Sequence, residues 1–359
     1  MTELANLARN TKTARSDLGR PEIRRVINQS KVVMTRTPLR ISFAGGGTDL
    51  PDFYNQEDGA VLSAAVDRYV YVTVKRHSEL FNEPIRLSYS QVEQVNSIGE
   101  IENNIARECL RFLKIDPPIF ISTVADVPTS TGMGGSSSFA VGLLHALHAY
   151  KGERVTAGQL AEEACYIEME VLKEPIGKQD QYAAAFGGLN LLRFERGGRV
   201  TVEPQAFHNG SGAYLFSNIM AFWTGHQRPA ASVLGEQKSN THRNLDVLRL
   251  MRDEAYELRS LCSTPQLDLE QVGKALHRGW TLKRRLASKI TNTEIDGHYA
   301  RAIKAGAEGG KLCGAGGGGF IIFVVKPEKH EAVRQKLSHL KMISLGYEVH
   351  GSRVLHPSE

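Results

Sequence analysis

The 359-residue chain has little cysteine and no pattern of it that could staple a fold. Cys109, Cys165, Cys262 and Cys313 stand far apart, without a CxxC pair or a Cys/His cluster at zinc spacing. This excludes a disulfide scaffold and a zinc ribbon, and it fits thiols kept reduced. Long hydrophobic runs are also missing. No apolar stretch approaches the ~20 residues of a membrane-spanning helix, and the N-terminal stretch lacks the apolar core of a secretory signal. A cytoplasmic protein with no membrane partner is the expectation. Charge of one sign is scarce: 44 Lys plus Arg against 39 Asp plus Glu leaves +5, with no dense basic tract. A nucleic-acid partner is therefore not expected, whereas small anionic substrates remain compatible. There is no GxxxxGK[ST], which excludes a P-loop, and no HRD or DFG, which excludes a eukaryotic-type protein kinase.

What is present is an ordinary globular composition, 41% hydrophobic and 23% charged, in a chain long enough for two domains. Leu39–Phe43, Val70–Val74 and Phe120–Val124 carry the β-branched or alternating pattern of strands. Ile101, Ile105, Cys109, Leu110 and Leu113 share one helical face. Helices are expected from Ser136 to about Tyr150 and over about 157–172, the second ended by the Glu174-Pro175 step. Residues 187–224 read as strands broken by turns, Ala213–Trp223 among them, and 230–308 as mostly helical. Phe320–Val325 reads as a buried strand, followed by a helix and a final strand. Strands and helices mix in both halves, so the class is α+β with two lobes. The expected boundaries are an extension over 1–31, an N-terminal domain over 32–205 and a C-terminal domain over 206–359.

Glycine is the outlier in composition, at 34 residues, and it is concentrated in three turns. Ala44-Gly45-Gly46-Gly47-Thr48-Asp49 follows a strand. It reads either as a plain β-turn or as a tip where Asp49 meets hydroxyl groups. Pro128 through Ser138 follows a strand and opens a helix, with Gly or Ser at six of the seven positions 132–138. Free amides at a helix N-terminus bind phosphate, and serine hydroxyls bond phosphate or ligate Mg²⁺. The third turn, Gly314–Gly319, matches GxGxxG formally, but it is expected to follow a helix and open a strand, the wrong context for a dinucleotide site. A fourth segment, Gly177-Lys178-Gln179-Asp180-Gln181-Tyr182, places an acid just past a helix that holds Glu168, Glu170 and Glu174. Asp180 reads as a solvated turn acid or as a general base.

Taken in order, these segments resemble the GHMP kinase superfamily. Its Pro-x-Arg strand appears as Thr37-Pro38-Leu39-Arg40-Ile41, its central phosphate loop as Pro128 through Ser138, and its C-terminal glycine-rich segment as Lys311 through Phe320. The stretches Arg40–Leu50, Gly177–Tyr182 and Lys311–Phe320 are similar to the D-glycero-D-manno-heptose 7-phosphate kinase branch.

The resemblance implies a lobe like ribosomal protein S5 domain 2, then a ferredoxin-like α/β lobe, with the site in the cleft between them. It implies ATP and Mg²⁺ as cofactors. The reaction it implies is phosphorylation of the anomeric hydroxyl of the heptose 7-phosphate, feeding nucleotide-activated heptose for surface polysaccharide. Asp180 falls at the catalytic aspartate position and Arg40 at its basic partner. Pro128, Gly132, Met133, Gly134, Gly135, Ser136, Ser137 and Ser138 fall on the ATP loop. Ser136 matches the Mg²⁺ serine, with a slip of one left open because Gly135 replaces the usual first Ser. Glu168 matches the Mg²⁺ glutamate, with Glu170 as the alternative. Gly46, Gly47, Thr48, Asp49, Gly316, Gly317 and Gly318 would face the sugar. For the 7-phosphate the candidates are Lys178, ranked first, with Arg228, Lys283, Arg284 and Arg285. Arg284 and Arg285, together with Lys283, also read as a solvated helix face. Two other readings stay open: a kinase of an unphosphorylated fucose- or galactose-like sugar, and a non-catalytic sugar-binding regulator. A homodimer is compatible with all three.

Overall fold

The computed structural model describes residues 32–227 and 230–355. The expected extension over 1–31 and the candidate Arg228 lie outside the described residues. Two sheets organise the chain. The first has eight strands: β1 (Val32–Ala44), β2 (Gly59–Arg76), β3 (Ile85–Ser88), β4 (Val92–Val95), β5 (Ile119–Ala125), β6 (Leu189–Phe194), β7 (Val200–Gln205) and, from the far end of the chain, β12 (Arg353–Leu355). The second has four, in the order β11 (Lys341–Ile343), β8 (Ile219–Trp223), β10 (Phe320–Val325), β9 (Ala307–Leu312).

The 18-residue β2 is the spine of the first sheet. Its first part pairs with β6, its last part with β5, and β1 runs antiparallel along both. The β1–β2 register slips between Pro38 and Leu39. Proline cannot donate to the ladder, so a bulge falls there, and Arg40 follows it. The Gly135–Lys151 helix packs on β1 and β2. It starts after Gly134, whose left-handed φ of +78° suits glycine, and stops at Gly152. Asn103 caps the helix Asn104–Phe112 by accepting from Ala106 N–H at 3.0 Å.

Three expectations need correcting. The helix over 157–172 is α-helical only over Ala157–Cys165 and then widens into a π turn over Tyr166–Val171. The Leu172 N–H donates to the Ile167 carbonyl at 2.9 Å, an i→i+5 bond. Ala213 is not in a strand: Ser211–Ser217 is a helix that buries Leu215 and Phe216, and only Ile219–Trp223 is extended. A short apolar run does not by itself separate the two conformations. Finally, the Gly314–Gly319 turn follows strand β9, not a helix, so it is a hairpin loop between β9 and β10. The helix pattern stops at Lys304 because Gly306, at φ +105°, breaks it.

The Leu269–Lys283 helix packs on β9 with almost no gap. A Cβ on Gly309 would sit 1.8 Å from the Gly273 carbonyl oxygen, and one on Gly273 would sit 2.4 Å from the Glu308 Cβ. Backbone touches backbone, and this fixes the end of that helix, Lys283, relative to the strand that carries Lys311. Gly309→Ala is expected to destabilise the protein by about 1–3 kcal/mol through overpacking. Urea unfolding measures it, and an unchanged midpoint would refute the contact.

His148, on the Gly135–Lys151 helix, is held between two acids. Its Nδ1 lies 2.7 Å from Glu153 Oε2 and its Nε2 lies 2.8 Å from Glu163 Oε2. Both nitrogens can donate only in the imidazolium. The bond to Glu163 raises the His148 pKa, partly opposed by burial. A raised histidine pKa contributes stability that is present below about pH 6.5 and is lost as pH rises through the folded value. Melting temperature should therefore fall as pH rises above about 6.5, less steeply in His148→Gln. Parallel slopes would exclude the clamp.

Candidate active site

The two sheets meet through two glycine turns. A Cβ on Gly132 would lie 2.5 Å from the Cys313 carbonyl oxygen, and one on Gly314 would lie 2.4 Å from the Gly132 Cα. The Phe320 N–H donates to the Thr131 carbonyl at 3.1 Å across the same seam. Beside it opens a cavity of about 420 Å³, whose lining includes Arg40, Asp49, Ser136, Glu168, Asp180 and Lys283. Residues far apart in the chain therefore share one chamber.

Arg40 and Asp180 form its centre. Nε donates to Oδ1 at 2.7 Å and Nη2 to Oδ2 at 2.7 Å, while Nη1 donates to the Gly132 carbonyl at 2.7 Å. This is the bidentate fork that a guanidinium makes with a carboxylate. The Arg40 side chain is 5% exposed and that of Asp180 24%, so both line the chamber and the acid is the more open member of the pair. Asp180 sits in the first turn of the Gln179–Phe186 helix.

Asp49 is buried alongside. Its Oδ1 accepts from the Gly47 N–H at 2.8 Å and its Oδ2 from Gln179 Nε2 at 3.0 Å. Burial raises its pKa above the ordinary carboxylate value; the Gly47 bond opposes this and the Asp180 charge adds to it. Gly177 has no space for a side chain, since its Cβ would fall 2.0 Å from Asp49 Oδ2.

Glu168 is turned into the chamber by the π turn. Its Oε1 accepts from Ser136 Oγ at 3.2 Å and its Oε2 from Gln181 Nε2 at 2.7 Å. Burial pushes its carboxyl up to about 7. Glu170, its alternative, is exposed and pairs with Lys173 at 3.3 Å. On the phosphate loop, Gly132, Gly134, Gly135, Ser136 and Ser137 line the cavity at the N-terminus of the Gly135–Lys151 helix. The first amides of a helix have no partner within it, so this rim can receive an anion.

Several expected residues serve structure instead. Met133 is buried in the core of the first sheet, and its carbonyl accepts from the Arg40 N–H at 3.1 Å. Ser138 donates to the Pro38 carbonyl at 2.9 Å, and Thr48 to the Gly45 and Ala60 carbonyls at 2.8 and 3.0 Å. Pro128 is exposed and is not among the lining residues. Gly317 donates to the Ile290 carbonyl at 2.8 Å, and Gly316 and Gly318 press against Ile290 and His226. In that turn Gly314 and Ala315 line the cavity instead.

Lys178 turns away from the chamber: its Nζ donates to the Gly198 carbonyl at 2.5 Å. Arg284 pairs with Asp296 at 2.8 Å and Arg285 is exposed, whereas Lys283 is buried and lines the cavity with Lys311. Lys311, Gln179 and Gln181 were not legible as site residues. The available signal was their place in two of the segments that carry the resemblance: Gln179 and Gln181 flank Asp180 in Gly177–Tyr182, and Lys311 heads Lys311–Phe320.

An acid–guanidinium pair, a helix N-terminus and a buried carboxylate beside a serine define a phosphotransferase-type site in a two-lobed α+β fold. Residues 101–188 match the GHMP kinases N terminal domain and 254–341 the GHMP kinases C terminal domain. The chain is 30% identical to the D-glycero-alpha-D-manno-heptose 7-phosphate kinase of Campylobacter jejuni, over 89% of this chain and 98% of that protein. It is 23% identical to the galactokinase of Pyrococcus furiosus, over 84% of this chain and 91% of that one. Among solved structures, a D-glycero-D-manno-heptose 1-phosphate kinase from Bacteriodes thetaiotaomicron superposes with a TM-score of 0.75 at 23% identity, covering 91% of this chain and 100% of that one. Lactococcus lactis galactokinase, complexed with galactose, superposes with a TM-score of 0.72 at 17% identity, covering 91% and 96%. The chain belongs to the GHMP kinase family, which uses ATP.

Arg40→Met should cost about 2 kcal/mol, because the Gly132 carbonyl and the Asp180 carboxylate both lose a donor. Adding Asp180→Leu should recover part of that loss. Urea unfolding of the single and double variants checks it, and additive losses would show that the pair carries no coupling.

Proposed function

We propose that this kinase transfers the γ-phosphate of ATP to the anomeric hydroxyl of D-glycero-D-manno-heptose 7-phosphate, giving the 1,7-bisphosphate. The observation that carries the reading is the Arg40–Asp180 fork at the mouth of the phosphate loop, in one chamber with Asp49. The substrate class follows the relative that this chain matches at 30% identity over 98% of that protein's length.

Phosphoryl transfer needs in-line positioning and charge stabilisation more than covalent chemistry. The amides and hydroxyls of Gly135–Ser137 hold the nucleotide phosphates. Asp180 is the catalytic acid–base group: the guanidinium fork fixes the plane of its carboxylate, and its outward lone pairs align the sugar hydroxyl and take its proton. Arg40 neutralises the Asp180 charge next to an incoming phosphate. Asp49, fixed by Gly47 and Gln179, bonds sugar hydroxyls. The residues fit Mg²⁺: Glu168 is a buried carboxylate whose partners are neutral, the Ser136 and Ser137 hydroxyls and the Gln181 amide, beside the phosphate rim. Mg²⁺ takes one or two carboxylates together with substrate phosphates, so Ser136 and Glu168 would hold it. When bound there, it offsets charge on the phosphate oxygens.

Asp180→Asn is expected to keep nucleotide affinity within about twofold and to lower kcat by about 10²–10⁴-fold. Calorimetric binding of ATP and steady-state ADP release measure the two quantities, and wild-type turnover would remove Asp180 from the mechanism. ADP release across the heptose 7-phosphate, sedoheptulose 7-phosphate, mannose 6-phosphate, galactose, fucose and mevalonate tests the acceptor. Turnover is expected with the heptose 7-phosphate alone. Preference for a neutral sugar would replace that acceptor, and ATP binding without turnover on any of the six would favour a regulator.

A further inference from the structure

The chamber contains two cations that the transfer mechanism above does not use. Lys283 ends the Leu269–Lys283 helix and Lys311 lies on β9, and the Gly273–Gly309 contact locks these two elements together. Both lysines are 7% exposed and both line the cavity. Lys283 Nζ donates to the Gly314 and Leu312 carbonyls, and Lys311 Nζ to the Ser42 and Phe43 carbonyls at 2.6 and 3.2 Å. Among the described residues, no carboxylate forms an ion pair with either. Every other basic candidate for a substrate phosphate that the structure describes is directed elsewhere: Lys178 to Gly198, Arg284 to Asp296, Arg285 to solvent.

Two buried ammonium groups with only neutral acceptors are costly unless an anion joins them. Burial and the Lys311 charge push Lys283 down to about 7, and burial pushes Lys311 down to about 8. In both, loss of solvent is the first cause and the charge of Arg40 adds to it. The nucleotide phosphates already have the helix rim and Arg40. The lysines stand on the acceptor side: Lys311 is bonded to the end of β1, from which the Gly45–Asp49 turn departs, and the charge of Asp49 is felt at Lys283.

We propose that Lys283 and Lys311 form the site for the acceptor's own phosphate monoester, and so restrict this enzyme to phosphorylated sugars. The proposal rests on the sugar-phosphate kinase reading and names the residues that impose it. A dianionic phosphate satisfies both ammonium groups at once and keeps both protonated. A neutral sugar leaves them unpaired, which makes the discrimination one of desolvated charge rather than of fit.

The test compares heptose 7-phosphate with unphosphorylated heptose in wild type, Lys283→Met and Lys311→Met, with Lys274→Met, an exposed lysine on the same helix, as control. Each lysine variant should lose about 100-fold in kcat/KM for the phosphorylated acceptor, a typical cost for a buried charged contact. Activity on free heptose and the KM for ATP should stay within about threefold. Equal losses on both acceptors, a change confined to the KM for ATP, or no change would each overturn the proposal. A second measurement does not need turnover or a fully active variant: the melting shift given by heptose 7-phosphate, mannose 6-phosphate and inorganic phosphate without nucleotide. The sugar phosphates should stabilise wild type and not Lys283→Met, whose apolar side chain suits a buried position. If wild type shows this shift but does not phosphorylate the heptose 7-phosphate, the acceptor assignment fails and the lysine site stands. If neither sugar phosphate gives a lysine-dependent shift, the lysine site fails whatever the activity.

Discussion

The seam where Gly132 meets Gly314 has no room for a side chain on either turn. That constraint organises the rest of the molecule. It brings the N-terminus of the Gly135–Lys151 helix against the β9–β10 hairpin, so the phosphate rim and the two buried lysines open into one chamber. Any Cβ at these positions would push the sheets apart and separate the groups that the proposed transfer brings to one acceptor.

The charges in the chamber are arranged in pairs of different kinds. Arg40 and Asp180 are matched fully, by a two-bond fork that also ties the Gly132 carbonyl to β1. Glu168 is a buried acid with neutral donors, and Lys283 and Lys311 are buried cations with neutral acceptors. The folded chain thus holds unbalanced charge of both signs at separate points. The proposed phosphoryl transfer would use that pattern: cations and polar donors for phosphates, a carboxylate for a metal, and one base whose orientation is fixed. The unbalanced groups are costly without ligands, and compact packing such as the Gly273–Gly309 contact keeps them in place.

Much of the local structure was legible. The strand of Leu39–Phe43, the helix after Gly134 and the strand of Phe320–Val325 follow from periodicity and glycine placement. Ser211–Ser217 and Ala307–Leu312 were misread, because a short apolar run and a glycine-rich strand have no distinctive period. Of the candidate residues, Arg40, Asp49, Ser136, Glu168 and Asp180 converge on the cavity. Thr48, Ser138 and Met133 instead support the backbone, a distinction that motif position cannot make.

By itself the sequence determined which residue types the chain carries and in what order: three glycine-rich turns, an arginine two residues after a proline on a strand, and an aspartate in a turn just past a helix. These are local properties, set by backbone freedom and residue type. The tertiary structure decided which side chains face the chamber. It turned Glu168 inward through a π turn that no periodicity announces, and it directed Lys178 to a distant carbonyl. It also split the Lys283–Arg285 run, burying the first residue and leaving the next two outside. Orientation depends on what packs against each residue from remote parts of the chain, and neighbours in sequence share a motif without sharing an environment.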